Sequence, residues 1–208
     1  MASRRRIRED DSATRTALLD AAQKVMVEDG YAAVTTRRVG AVAGVNKALV
    51  YYYFDTMDDL FIELFGRNAE RSFERQREIL AGPQPLWGLW DAIHEQSGSA
   101  VTNEFIALAN HRKAIRDVIA EYQFRYRRLQ LEKLGGVLER YGVDTDRWPL
   151  ASVVVMMEGI SRFLQTEDAF AVDVGHEETV AVVERRIRAL EGDRREELAP
   201  VVAEAARP

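Results

Sequence analysis

The chain has no cysteine among its 208 residues. That excludes a disulfide framework, a thiolate metal site and a thiol nucleophile. Histidine is nearly as scarce, with only three. His94-Glu95 opens like a zinc-protease motif but has no second His four residues on. No Glu-x-x-His pair is present for a carboxylate-bridged metal in a helical bundle. A phosphate-binding glycine loop and a nucleophile elbow are also missing, so the expectation is a protein that is not an enzyme and needs no cofactor or metal. No apolar run approaches the length of a membrane span. The opening MASRRRIRED lacks the apolar core of a signal peptide, and the expected location is the cytoplasm.

Sustained strand alternation with turn signals is absent too, and there is no internal repeat. What is present is helical periodicity, so the expected fold class is all-α. Leu18, Ala22 and Val25, joined by Ala21 and Met26, form one face of a helix over 14–29. Thr56 and Asp59 approximate a capping box at the start of a long helix from Met57 to about Ala81, which Gly82-Pro83-Gln84-Pro85 terminates. Further helices are predicted over 86–97, 102–110, 113–141, 148–166, 177–191 and 194–206. Residues 1–55 hold nine Lys/Arg and seven Asp/Glu, which leaves 20 against 27 for the rest. A mildly basic head on an acidic body suits a local nucleic-acid footprint. Residues 1–12, with Arg4, Arg5, Arg6 and Arg8, read as a flexible basic arm, able to order on phosphate or in a minor groove.

The segment TTRRVGAVAGVNKALVYYYFDTMDDL, residues 35–60, is the most specific on the chain. Thr35 is placed to cap a short helix carrying Val39, Val42 and Ala43. Gly44 supplies a sharp turn, Val45 a hydrophobic plug, and Asn46 a cap for a second short helix from Lys47 to about Tyr53. Two short helices joined by a tight turn form a helix-turn-helix, which fits a helix crosswise into a major groove. Arg38 stands where a capping box wants Glu or Gln, against the positive end of the helix dipole. A phosphate contact by Arg37 or Arg38 explains that placement; a solvated Arg pair is the plainer reading. Tyr51, Tyr52 and Tyr53 point about 100° apart, so all three cannot pack inward.

The order T-x-R-x-V-G-x-x-A-G-V-N-K-x-x-V-Y-Y-Y-F-x-T resembles the DNA-binding segment of the tetracycline-repressor (TetR) family of bacterial regulators. The likeness covers about residues 15–61. It implies a DNA-binding set of Thr36, Arg37, Arg38, Asn46, Lys47, Ala48, Leu49, Tyr51 and Tyr52. Within it, Asn46 to Leu49 would face base edges, and the Tyr51 and Tyr52 hydroxyls would face phosphate. Two residues depart from the family pattern. Met57 replaces a frequent Lys, removing one expected phosphate contact, and Gly40 replaces the usual Ala, at a helix-propensity cost of about 1 kcal/mol. The resemblance also divides the chain into a head at 13–55 and a ligand-binding, dimerising body at 56–208.

In the body, Ile115, Ile119, Tyr122, Tyr126 and Leu129 step by four, three, four and three along one helical face. With Trp87, Trp90, His94, Phe105, Leu108 and His111 they form a set rich in aromatics with polar tips. Core packing accounts for any one of them; as a group they suit a pocket for a mostly apolar ligand with one or two polar handles. His94, Tyr122 and His111 are the candidate orienting contacts, and Arg112, Arg116 or Arg125 would serve a carboxylate. Residues 152–160 are apolar nearly all round, and Val180, Val183, Ile187 and Leu190 make a stripe on the next helix. Such a pair suits a homodimer contact through the last helices, as two-fold DNA sites require. The expected function is therefore a DNA-binding transcriptional regulator, a repressor acting on a palindromic operator in double-stranded DNA and responding to a small-molecule effector. The alternative is a helical small-molecule- or partner-binding protein with weakened DNA recognition, and Met57 is the residue in its favour.

Overall fold

No glycine or proline interrupts residues 2–29, and in a computed structural model that describes residues 2–97 and 99–195 they form one helix, α1 (Ala2–Asp29). Residues 2–12, expected as a flexible arm, fall within the bounds of α1. Gly30, at a φ of 80°, ends α1 and leads into a single 3-10 turn, Tyr31–Ala33. There follow α2 (Thr36–Val42), α3 (Lys47–Tyr53), α4 (Met57–Ala81), α5 (Pro85–Ser97), α6 (Ala100–His111), α7 (Lys113–Arg140), α8 (Leu150–Asp168) and α9 (His176–Glu191). Strands are absent among the described residues. Pro85 opens α5, where a missing N–H costs nothing. The helix expected over 194–206 lies outside the described residues from 196 on.

Packing sorts the chain into two units, Met1–Arg71 with Ala100–Tyr122, and Ser72–Ser99 with Gln123–Pro208. These units cut across the chain-order division into 13–55 and 56–208. In the first, Leu18, Ala22, Val25 and Met26 of α1 meet Val39, Val50, Phe54, Leu60, Phe61 and Leu64, with Phe105, Leu108 and Ile115 completing the core. In the second, Trp87, Leu89, Trp90 and Ile93 of α5 meet Leu134, Leu138, Val154, Met157 and Ile187.

α8 shows why its apolar run is nearly all-round. Val154, Met157, Ser161 and Leu164 are buried, and α5 packs on this helix. Val155, Met156 and Phe163 are exposed, as are Phe170 and Val174 in the following loop and Val182 on α9.

Candidate DNA-binding surface

The helix-turn-helix forms by short-range contacts that its own residues supply. Thr35 Oγ1 accepts from the Arg38 N–H at 3.3 Å, capping α2. Asn46 Oδ1 accepts from the Leu49 N–H at 3.0 Å, capping α3. Gly44 takes the turn at a φ of 71°, in the left-handed region. Gly40 is where α2 comes close to the turn: its carbonyl accepts from the Val45 N–H at 2.9 Å. A Cβ on residue 40 would stand only 2.9 Å from the Val45 carbonyl oxygen. The departure from Ala at this position thus has a packing reason.

Burial then decides which side of α3 is presented. Val50 is fully buried, Leu49 and Tyr53 are half-buried, and Lys47, Ala48, Tyr51 and Tyr52 are exposed. Residues 47 and 51 lie on one row of the helix and 48 and 52 on the next, so the four make a single outward face. Tyr51 and Tyr52 are 56% and 72% exposed, far more than an aromatic ring with a packing role would be. Tyr53 is committed elsewhere: its hydroxyl donates to Asp11 Oδ1 at 2.9 Å. Its phenol is held above the ordinary value by desolvation first and by Asp11 second.

The two arginines of α2 differ. Arg38 pairs with Asp29 at 2.8 Å, joining α2 to the end of α1. Its guanidinium thus has a partner within the chain, whereas Arg37 is exposed. Thr36 is half-buried. Met57 packs against the core of the first unit, so the departure from Lys contributes burial there. The expected capping box is present, with the Thr56 N–H on Asp59 Oδ2 at 2.9 Å and the Asp59 N–H on Thr56 Oγ1 at 3.1 Å.

Three contacts from α6 and its end, unseen in the sequence, hold these elements. Glu104 Oε2 accepts from the Tyr31 N–H at 2.6 Å. His111 stacks on the Tyr31 ring with centroids 6.4 Å apart. Arg112 pairs with Asp58 at the start of α4 and lies over the Phe61 ring. A spacing of 73 positions between Tyr31 and Glu104 gives sequence periodicity nothing to detect.

The expected ligand-binding residues are divided between the units. Phe105, Leu108 and Ile115 are core residues of the first, with Ile119 packed against them. Tyr122 sits edge-on to Phe65 in that unit. Exposed His111 faces Tyr31, as described. Trp87, Trp90, His94 and Tyr126 belong to the second unit. Trp87 Nε1 donates to the Gly192 carbonyl at 3.0 Å, which uses its one polar atom. His94 Nδ1 lies 3.2 Å from Ser161 Oγ. Burial, its largest influence, lowers the His94 pKa and favours the neutral ring. Among the described residues no group of three or more His, Asp or Glu could hold a metal ion, and no helix is long and apolar enough to cross a membrane.

A capped, tightly turned helix pair with one polar outward face defines a helix-turn-helix protein. Residues 18–64 match the sequence profile of the bacterial regulatory proteins of the tetR family. The chain is 27% identical over 115 residues to the HTH-type transcriptional repressor KstR2 of Rhodococcus jostii. That match spans 55% of this chain and 56% of the relative, little over half its length. A TetR transcription regulator from Haloarcula marismortui superimposes with a TM-score of 0.69 at 21% identity, over 86% of this chain and 98% of that one. A putative transcriptional regulator from Saccharomonospora viridis, solved with choline, gives 0.63 at 19% identity over 75% and 85%. Residues 18–64 are thus similar to the DNA-binding segment of the tetR family, and the described residues share their fold with solved regulators.

Proposed function

We propose that this protein is a sequence-specific, DNA-binding transcriptional regulator, acting as a homodimer and repressing until a small molecule changes its operator affinity. The observation that carries the reading is the outward face of α3, Lys47, Ala48, Tyr51 and Tyr52, on a helix fixed by its Asn46 cap and the buried Val50. Lys47 is suited to guanine O6 and N7, and Ala48 allows close approach to a base edge. The two exposed phenols are suited to phosphate oxygens, which position the helix without reading sequence. Asn46 spends its acceptor on the cap, so only its amide N–H groups remain for a base.

The exposed apolar residues of α8, the following loop and α9 support a dimer contact through the last helices. A two-fold protein matches a palindromic operator, with one α3 in each half-site. The contacts of Glu104, His111 and Arg112 tie α6 to the head. A ligand that favours one arrangement of α6 would shift the head population by that difference in affinity alone. Such a regulator acts in the cytoplasm, where its DNA is.

A gel shift on DNA flanking the protein's own gene, with increasing salt and unlabelled competitor, tests the reading. The expected result is a discrete shift that resists non-specific competitor at physiological salt. Smearing that competitor removes, across flanking and genomic fragments alike, would count against it and favour a helical binding protein with a decayed head.

A further inference from the structure

Tyr53 ends α3 with its ring packed on the core of the first unit. Its hydroxyl reaches α1, where it donates to Asp11 Oδ1 at 2.9 Å and has Thr14 as a second side-chain hydrogen-bond partner. Arg15, next to Thr14, pairs with Glu63 of α4 and lies 5.1 Å over the ring of Phe54, the residue after Tyr53. Asp11, Thr14, Arg15 and buried Leu18 stand at i, i+3, i+4 and i+7, so they share one face of α1. That face grips both residues at the C-terminal end of α3. The other end is fixed by the Asn46 cap and by the Val45 N–H on the Gly40 carbonyl. The helix is therefore pinned at both ends.

The hold at Tyr53 passes to the outward face of α3 through the neighbouring ring. Tyr52 is 72% exposed, yet its ring meets Tyr53 edge-on, with centroids 5.1 Å apart and planes at 88°. An exposed phenol that samples several rotamers loses that freedom when it binds, which subtracts from affinity. A fixed ring beside it narrows the choice in advance. The charge at residue 11 bears on the same point. Asp11 is exposed, and a carboxylate beside a face that receives phosphate repels it. It therefore weakens binding unless its hydrogen bond contributes more than the repulsion removes.

We propose that Asp11 and Tyr53 are positioning residues for DNA binding, which hold the C-terminal end of α3 and, through the Tyr53 ring, present the Tyr52 hydroxyl to phosphate. The inference rests on the reading of α3 as the DNA-binding helix and adds two residues outside its outward face. Tyr53 acts from behind that face, since its hydroxyl is occupied by α1. Phosphate contacts position a protein without reading sequence. The pair therefore governs affinity for any DNA and leaves base preference alone.

The test is a set of gel shifts with the full chain, on the flanking fragment that the native protein shifts and on mixed-sequence DNA. Tyr53→Phe and Asp11→Ala both spare the packed ring, so the fold is expected to stand. Each is expected to weaken binding to both DNAs by about five-fold. Combined, they are expected to lose no more than either alone, because they remove one bond. Asp11→Asn keeps an acceptor for the hydroxyl and is expected to bind within about two-fold of the native protein. A second readout is 13C NMR of the tyrosine rings in the DNA-free chain, where the Tyr52 signal should move in Asp11→Ala and hold in Asp11→Asn. Tighter binding by Asp11→Ala would mean a carboxylate that only repels phosphate, and would overturn the proposal. So would additive losses, native binding by Tyr53→Phe, an equal loss in Asp11→Asn and Asp11→Ala, or an unmoved Tyr52 signal. A native protein that shifts no fragment removes the regulator reading and this proposal with it; specific binding that the variants leave unchanged removes this proposal alone.

Discussion

The two packing units are built on different terms. In the first, the core of the described residues is hydrophobic, from Leu18 to Ile115. Polar side chains there pair around that core, as Arg15 does with Glu63, and Arg67, paired with Asp20, leaves only its Nε buried and unmet. The second buries three glutamines and a serine, and leaves part of that polarity unpaired. A unit that must hold one face of α3 rigid gains from an apolar core, which sets position without penalty.

The largest expected break in this contrast comes from the first core. Phe61→Ala, at a side chain 1% exposed, should cost about 3–5 kcal/mol of stability, seen as an early melting transition with loss of DNA binding. Next come two glutamines of similar burial that differ in hydrogen bonding. Gln84→Leu removes three hydrogen bonds and should destabilise by about 2–3 kcal/mol. Gln76→Leu gives up only its contact with Tyr126 and should destabilise by less, about 1 kcal/mol. Equal effects from the pair in thermal unfolding would erase the distinction drawn between them. Asn46→Ala should cost about 1 kcal/mol through the lost α3 cap, and weaken operator binding with it.

The smallest effect is one of pH. His176 opens α9 and lies 2.9 Å from Glu167 and 3.1 Å from Asp168. The hydrogen bond to Glu167 is the chief cause of a pKa above the ordinary 6.5. A raised folded-state pKa means stabilisation that is complete below 6.5 and fades as pH rises through the folded value. Melting temperatures of the native protein and His176→Asn should therefore differ most near pH 5 and converge in alkali. A difference that grew with pH would contradict the pairing.

The head was legible in the sequence because its determinants are local. Thr35, Gly44, Asn46 and the Thr56/Asp59 box each act within a few residues, and each performs the role its position predicts. The body was legible as helices and not as a site. The stripe Ile115, Ile119, Tyr122, Tyr126 and Leu129 is continuous along α7, yet it is divided between the units between Tyr122 and Gln123. Periodicity tells which residues share a face, not what lies opposite. Arg38 finding Asp29, and Glu104 finding the Tyr31 N–H, depend on packing that no spacing announces. One long-range pairing does leave a mark in the sequence. Glu158 is the single charge between Leu150 and Ser161, in the mostly apolar first part of α8, and a lone charge in such a run points to a polar partner, here Arg127 and Gln130.

The central claim is that the outward face of α3 reads base sequence. Its most direct test is selection of binding sites from randomised duplex DNA, run in parallel with the native protein and Lys47→Ala. The native protein should enrich a two-fold-symmetric consensus. The variant should lose preference at a matched pair of positions, one per half-site, with a cost of about 1–3 kcal/mol. No consensus from the native protein, or the same consensus from both, would contradict the account.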